Sequence, residues 1–376
     1  MTAPVRVSLD ASAIPDPAGG AGRYVLALAE ALERRDDVEV TVVARAGDGA
    51  RWPRLVVAAA PAPRPVRLVW EQAGLPLLLR RLRVDVHHGP HYTMPVAAGR
   101  PTVVTIHDLS FFTHPEWHDR AKVAFFTTAI RLAARRASAL VAVSATTAEL
   151  LTELVEPRAP VHVVPHGVDH LRFRPDPPAA VGEGGDEDLA ALARLGVRAP
   201  YVAFLGTLEP RKDVPTLVRA FDRIAGGRAD LTLVLAGAPG WGTAAVDAAV
   251  AGASHRDRIH RLGYVAEDAI PALLRGAAVV AYPSLEEGFG LPVLEALACG
   301  APVVTTCGTV MEEVAAGAAV LCRPADASSL ADALEEALTP DDRRRRLGSE
   351  VAARSTWEAS AAAHVDVYRS AAATGG

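Results

Sequence analysis

The feature that most constrains this 376-residue chain is an alternation of short apolar runs with longer helical patterns, traversed twice. In the first half the spacing predicts strands at Val5–Leu9, Val38–Val43, Val84–His87, Thr102–Ile106, Leu140–Val143 and Val161–Val164. Helical patterns lie between them, notably Tyr24–Arg34, Arg120–Arg136 and Thr146–Val155. The second half repeats the plan with strands at Tyr201–Leu205, Leu231–Ala236, Ile259–Leu262, Ala278–Tyr282, Pro302–Thr305 and Ala319–Cys322. These runs are nearly continuous in Val, Leu and Ala, as strands become when helices cover both faces of a parallel sheet. Between the halves, Arg174–Pro200 carries Pro175, Pro177 and Pro178, a Gly-Glu-Gly-Gly stretch and Asp186-Glu-Asp188, and reads as a linker with solvated acids. The expected class is α/β, with two doubly wound domains facing each other across a cleft. Ligands of open α/β sheets bind beyond the carboxyl ends of the strands.

Composition narrows the partners. With 50% hydrophobic and 22% charged residues the chain is not disordered, and a net charge of −5 argues against a general nucleic-acid binder. Of 39 cationic residues only Lys122 and Lys212 are lysines. Cys299, Cys307 and Cys322 show no metal-site spacing and suggest buried thiols in a reducing compartment. The N-terminal segment enters a strand without an apolar leader, and no apolar run reaches the ~18 residues needed to span a bilayer. A cytoplasmic, soluble protein is expected. Contact with a membrane surface stays open at Arg120–Arg136, where Phe125 and Phe126 sit among Arg120, Lys122, Arg131, Arg135 and Arg136.

The chemistry gathers in the loops that follow strands. Pro283-Ser-Leu-Glu-Glu-Gly-Phe-Gly-Leu-Pro-Val-Leu-Glu295 opens a helix near Leu291, with Pro292 suited to its first turn. Gly288 and Gly290 permit close approach of backbone N–H groups to an anion, while Glu287 and Glu295 offer acceptors to sugar or ribose hydroxyls. Taken alone the segment also fits a capped surface loop. Arg211 and Lys212, after the second half's first strand, suit a diphosphate, Arg as a fork and Lys as a point charge. They are expected to face the cleft, with an ordinary solvated pair as the alternative, and their replacement is expected to leave thermal unfolding nearly unchanged. Asp16-Pro-Ala-Gly-Gly-Ala-Gly-Arg-Tyr24 places Gly19, Gly20 and Gly22 in a strand-to-helix loop without the full dinucleotide spacing. His107, in Thr105-Ile-His-Asp-Leu-Ser110, is expected at a strand end facing the cleft. Gly263-Tyr-Val265 is a candidate for backbone contact with a nucleobase. His87, His88 and His91 lie close in sequence but lack a complete zinc-ligand pattern.

Together, Gly-Thr-Leu-Glu-Pro-Arg-Lys and Tyr-Pro-Ser-Leu-Glu-Glu-Gly-Phe-Gly-Leu-Pro-Val-Leu-Glu resemble the retaining glycosyltransferases of family 4, whose fold is GT-B. The resemblance runs along nearly the whole chain, through His-Asp-Leu-Ser, Val-Ser-Ala-Thr and His-Gly-Val-Asp. It is nearest to the mannosyltransferase-like group. It implies an N-terminal acceptor domain at 1–173, a linker at 174–200, a donor domain at 201–354, and a helix at 355–376 crossing back. It also implies that Glu287 contacts the donor sugar, Glu295 the ribose, and Phe289, Gly290 and Leu291 the donor through their amides. Arg211 and Lys212 match the basic pair on the diphosphate, and His107 the histidine near the reacting sugar. Thr207 stands where many members carry a further Arg, and His166 where Asn is common. The implied reaction is hexose transfer, from GDP-mannose or alternatively a UDP-sugar, to a glycan or lipid-linked acceptor, without metal or other cofactor. An epimerase, a hydrolase and a non-catalytic sugar-nucleotide binder are the rival readings.

Overall fold

A computed structural model describes residues 3–15, 18–175 and 184–374. Contacts divide the chain into two compact units, Met1–Gly167 with Trp357–Gly376, and Val168–Thr356. The first unit holds a seven-stranded parallel sheet: β1 (Val5–Asp10), β2 (Val38–Arg45), β3 (Val56–Ala60), β4 (Val86–Gly89), β5 (Thr102–Ile106), β6 (Ala139–Ala142) and β7 (Val161–Val163). Its order is β3-β2-β1-β4-β5-β6-β7. The second unit holds six parallel strands, β8 (Tyr201–Leu205), β9 (Thr232–Ala236), β10 (Ile259–Gly263), β11 (Val279–Tyr282), β12 (Val303–Thr306) and β13 (Val320–Cys322), in the order β10-β9-β8-β11-β12-β13. Both are doubly wound sheets whose strand order reverses beside the first strand, at β1/β4 and at β8/β11.

The continuous apolar runs are buried on both sides as expected. All five residues of β5 and of β8 are buried. Helices cover the sheets with apolar faces; in Val214–Ala225, Leu217, Val218 and Phe221 are fully enclosed. Each such side chain contributes roughly 1.5–3 kcal/mol. Helix starts are set by local capping. Ser144 Oγ accepts from the Thr147 N–H at 3.0 Å, and Asp326 caps Ala327–Ala337 in the same way.

Several expectations are corrected. β3 escapes the sequence pattern, because its Val-Val-Ala-Ala-Ala is a half-exposed edge with little apolar signal. The stretch 174–200 is not all linker. Gly184–Arg194 is a helix, and Asp188 pairs with Arg275 at 2.6 Å and is largely shielded rather than solvated. Residues 176–183 and the side chain of Asp186 lie outside the described residues. The first unit ends at Gly167 rather than 173, since the Val168 N–H donates to the Ser355 carbonyl at 3.0 Å and Arg172 pairs with Glu267. Cys299 and Cys322 are buried but Cys307 is half-buried. Gly20 and Gly22 lie inside the helix Gly20–Glu33, with Gly19 as its N-cap, so they are not a flexible loop; Asp16 and Pro17 fall outside the described residues.

The helix Trp357–Thr374 belongs to the first unit and docks through a buried hydrogen-bond chain. The Ser360 carbonyl can only accept, so His364 Nδ1–H donates to it at 2.8 Å, leaving Nε2 to accept from the Tyr24 hydroxyl at 2.9 Å. Tyr24 in turn bonds Thr105 Oγ1 at 3.0 Å, and His88 joins Thr105 at 2.8 Å to Tyr368 at 2.8 Å. Burial holds His364 down at about 4 and His88 well below its ordinary value, so both rings are neutral. His87, in β4, bonds Ser8 at 2.9 Å. Among the described residues no helix is long and apolar enough to cross a membrane.

Candidate active site

In the second unit β8 and β11 are neighbours, so the segments that follow them meet although they are some 75 residues apart. The loop after β8 turns through Pro210–Lys212, and Asp213, at φ +46°, redirects the chain into Val214–Ala225. The loop after β11 runs from Pro283 to Gly290, which caps the helix Leu291–Ala298 at φ +95°. A side chain at Gly290 would be strained there, and its Cβ would press on Met311 at 3.1 Å. The Leu285 N–H donates to the Arg211 carbonyl at 2.7 Å and ties the two loops together.

This junction gathers one compact charge cluster. Glu287 lies between Arg211 Nη1 and Lys212 Nζ, ion-paired to both, and Lys212 also donates to the Tyr282 hydroxyl. Arg211 Nε holds Glu209 at 2.7 Å. Lys212 lies over the Tyr282 ring, 4.6 Å from its centroid, and Phe204 stacks behind Tyr282. The cluster is dry, with the side chains of Lys212 and Glu287 only 8% and 9% exposed. Burial alone would raise the Glu287 carboxyl, but attraction to Lys212 and then Arg211, with hydrogen bonds from both, holds it at about 2. Burial brings Lys212 down to about 8, opposed by Glu287. The pair is therefore ionised at neutral pH.

The structure thus brings Arg211, Lys212 and Glu287 together, with Lys212 and Glu287 buried and Arg211 half-buried. Replacing Lys212 alone leaves Glu287 with one cation fewer, and a loss of stability is expected from it. Gly288, Phe289, Gly290 and Leu291 are buried and lead into the helix N-terminus, whose partial positive charge adds to that of the two cations. Glu295 is buried one turn inside that helix. Thr207 is exposed in the loop after β8. Val265 is buried beyond the end of β10, while the Gly263 carbonyl already accepts from the Gly237 N–H at 2.7 Å. Glu209 and Tyr282 join the cluster without a sequence signal of their own. Glu209 sits two residues before Arg211, and Tyr282 ends a buried strand, and neither position alone marks a site.

His107 belongs to the first unit, just past β5, and is 8% exposed. Its Nε2–H donates to the Pro90 carbonyl at 2.7 Å, which leaves Nδ1 as an acceptor; burial lowers its pKa. His166 packs on Tyr24 and Trp357 within the same unit's aromatic interior.

Two units, each built on a parallel doubly wound sheet, one with Arg211, Lys212 and Glu287 clustered beside a helix N-terminus at its switch point, define a two-unit α/β protein whose second unit carries a charged switch-point cluster. Comparison with known proteins narrows the class. Residues 199–340 match the family described as "Glycosyl transferases group 1", and residues 18–172 the "Glycosyltransferase Family 4". The chain belongs to the family 4 glycosyltransferases and has their GT-B fold. It is similar to the O-antigen chain mannosyltransferase B of Escherichia coli, 29% identical over 296 residues that cover 77% of this chain and 76% of the relative. A MMP alpha-(1->4)-mannosyltransferase of Mycolicibacterium hassiacum is 30% identical over 299 residues, covering 73% and 66%. Among solved structures, a sucrose-phosphate synthase of Thermosynechococcus elongatus superposes with a TM-score of 0.76 at 21% identity, covering 97% and 98% of the two chains.

Proposed function

We propose that this glycosyltransferase moves mannose from GDP-mannose to a hydroxyl of a glycan or lipid-linked acceptor, with retention at the anomeric carbon. The observation that carries the donor site is the buried Arg211–Glu287–Lys212 cluster at the β8/β11 switch point. The mannosyl assignment rests on the relatives named as mannosyltransferases.

The chemistry follows from charge. A nucleotide diphosphate is the leaving group, and its developing charge meets Arg211, Lys212 and the helix N-terminus at Leu291. In the free protein Glu287 occupies both cations. An arriving diphosphate replaces it there, and the released carboxylate accepts hydrogen bonds from the donor sugar. Glu295 serves the ribose, Val265 the base, and the amides of Gly288, Phe289, Gly290 and Leu291 the donor, beside Thr207. The acceptor oxygen attacks on the leaving-group face. The C–O bond to phosphate breaks as the new glycosidic bond forms, and the departing phosphate oxygen takes the acceptor proton. Two fixed cations supply the neutralisation, so transfer proceeds without metal. Free Cys299, Cys307 and Cys322 suit a reducing compartment, and on this reading the enzyme works in the cytoplasm at the inner membrane face.

The test is competition binding with product analysis. GDP is expected to bind at least ~10-fold tighter than UDP, about 1.4 kcal/mol. Turnover persists in EDTA, the product keeps the donor's anomeric configuration, and Arg211→Ala slows transfer ~10²–10³-fold. Equal or reversed nucleotide affinities would replace the donor by a UDP-sugar. Turnover of the donor with no acceptor product would favour a hydrolase or epimerase.

A further inference from the structure

Each cation of the charge cluster has a partner besides Glu287, and the two partners differ in kind. Arg211 Nε is held by Glu209 at 2.7 Å. Lys212 Nζ donates to the Tyr282 hydroxyl and lies 4.6 Å from the centroid of the Tyr282 ring. A carboxylate beneath a cation takes up part of the charge that an arriving anion needs. A phenol accepts the same hydrogen bond and adds no charge. Burial pushes the Tyr282 hydroxyl well above its ordinary pKa, and the nearby Glu287 pushes it further, so it stays neutral.

The phenol is also fixed more firmly than the side chain it holds. Tyr282 is fully buried at the end of β11, where its carbonyl accepts from Thr305 Oγ1 at 2.9 Å. Its ring is backed by the Phe204 ring, 6.0 Å away and within 15° of parallel. Lysine, by contrast, carries a compact, strongly hydrated ammonium on a flexible stem. In the free protein the Tyr282 hydroxyl accepts from Lys212 and donates its own proton to Glu287 Oε1 at 3.3 Å. Once a diphosphate takes the place of Glu287, that carboxylate no longer positions Lys212. The hydroxyl and the ring face of Tyr282 still do, and both favour the charged ammonium over the neutral amine.

We propose that Tyr282 is a positioning residue for glycosyl transfer, holding the Lys212 ammonium on the leaving diphosphate after Glu287 has moved to the sugar. The inference rests on the donor reading, in which the diphosphate displaces Glu287 from the cations. The charged and titratable groups that face Lys212 are Glu209 and Arg211 of its own loop, Tyr282 of β11, and Glu287 of the loop beyond.

Lys122 and Lys212 are the only lysines in the chain, so isotope-labelled lysine gives two side-chain signals in the full protein, assigned with Lys122→Arg. GDP and UDP are titrated in, and the tighter-binding nucleotide is used. The Lys212 methylene protons are expected to keep an upfield shift from the Tyr282 ring in the nucleotide complex, as in the free protein. Loss of that shift on nucleotide binding overturns the proposal with Tyr282 itself intact. In Tyr282→Phe the ring stays and the hydroxyl goes, and the labelled side chain of the free protein is expected to titrate roughly one pH unit lower. Lys212, brought down to about 8 by burial, is charged below that pH and neutral above it. The loss of kcat/KM in Tyr282→Phe is therefore expected to grow ~5-fold between about pH 6.5 and about pH 8.5. A merely structural hydroxyl would lower kcat/KM by one factor at every pH. That outcome, or an unmoved Lys212 titration, overturns the proposal. If neither GDP nor UDP binds the wild-type protein, the donor reading fails and this assignment with it; nucleotide binding without the ring shift removes the role of Tyr282 alone.

Discussion

Lys212→Met offers the sharpest probe of the charge cluster, because it removes one buried charge and leaves its partner in place. Glu287 sits at about 2 against an ordinary 4.5, a gap that corresponds to ~3 kcal/mol of stabilisation at neutral pH. Lys212 supplies the larger share of the attraction that overcomes burial. Its loss strands the carboxylate with Arg211 alone, at a cost of ~3–5 kcal/mol. Glu287→Gln strands Lys212 in turn, at a similar cost. The double variant removes both charges and leaves Arg211 with Glu209, so it costs much less than the two singles together; a coupling of at least ~2 kcal/mol is expected. Hydrogen exchange of the β8 and β11 amides reads the second unit's stability directly. The sign with pH is fixed as well. Glu287 has a lowered pKa in the folded state, so its contribution is complete above 4.5 and is lost as the pH falls towards 2. Lys212→Met flattens that acid limb. If the two single-variant costs simply add, within ~0.5 kcal/mol, the three side chains are not a coupled unit.

Two other outcomes follow. Glu287→Gln should reduce transfer more than GDP binding, while Glu295→Gln should weaken GDP binding itself; calorimetry giving the opposite order would exchange their roles. His87 and His364 are both held at about 4 by burial, against 6.5 when unfolded. The unfolded chain therefore takes up protons first, and the first unit should lose up to ~1.4 kcal/mol per pH unit per histidine as the pH falls from 6.5 to 4. A melting temperature that stays flat between pH ~7 and ~5 would contradict this.

The parts of the fold that depend on local pattern are legible in the amino-acid sequence itself. The continuous apolar strands are, and so is the helix start at Leu291, where a glycine cap and Pro292 coincide. What the sequence hides depends on neighbours distant along the chain. Arg211 and Lys212 read as cleft-facing cations, and nothing in the sequence shows that β8 and β11 are adjacent; that adjacency pairs both with Glu287 and buries Lys212 against Tyr282. The edge strand Val56–Ala60 and the helix Arg64–Leu82, with Pro76 inside it, carry weak periodicity because much of their surface faces water.

The placement of Trp357–Thr374 in the first unit has a consequence in time. The second unit, Val168–Thr356, is made between the first unit's sheet and the helix that completes it. At ~5–20 residues per second, a ribosome takes on the order of 10–40 s to cross that interval. Throughout it, Tyr24 and His88 lack His364 and Tyr368, and the face that Ala361 and Val365 will cover stays open. The second unit is complete in sequence before the first has its docking helix. Until the last residues are made, the patch of the first unit that the helix will cover is therefore open to water or to a holdase chaperone.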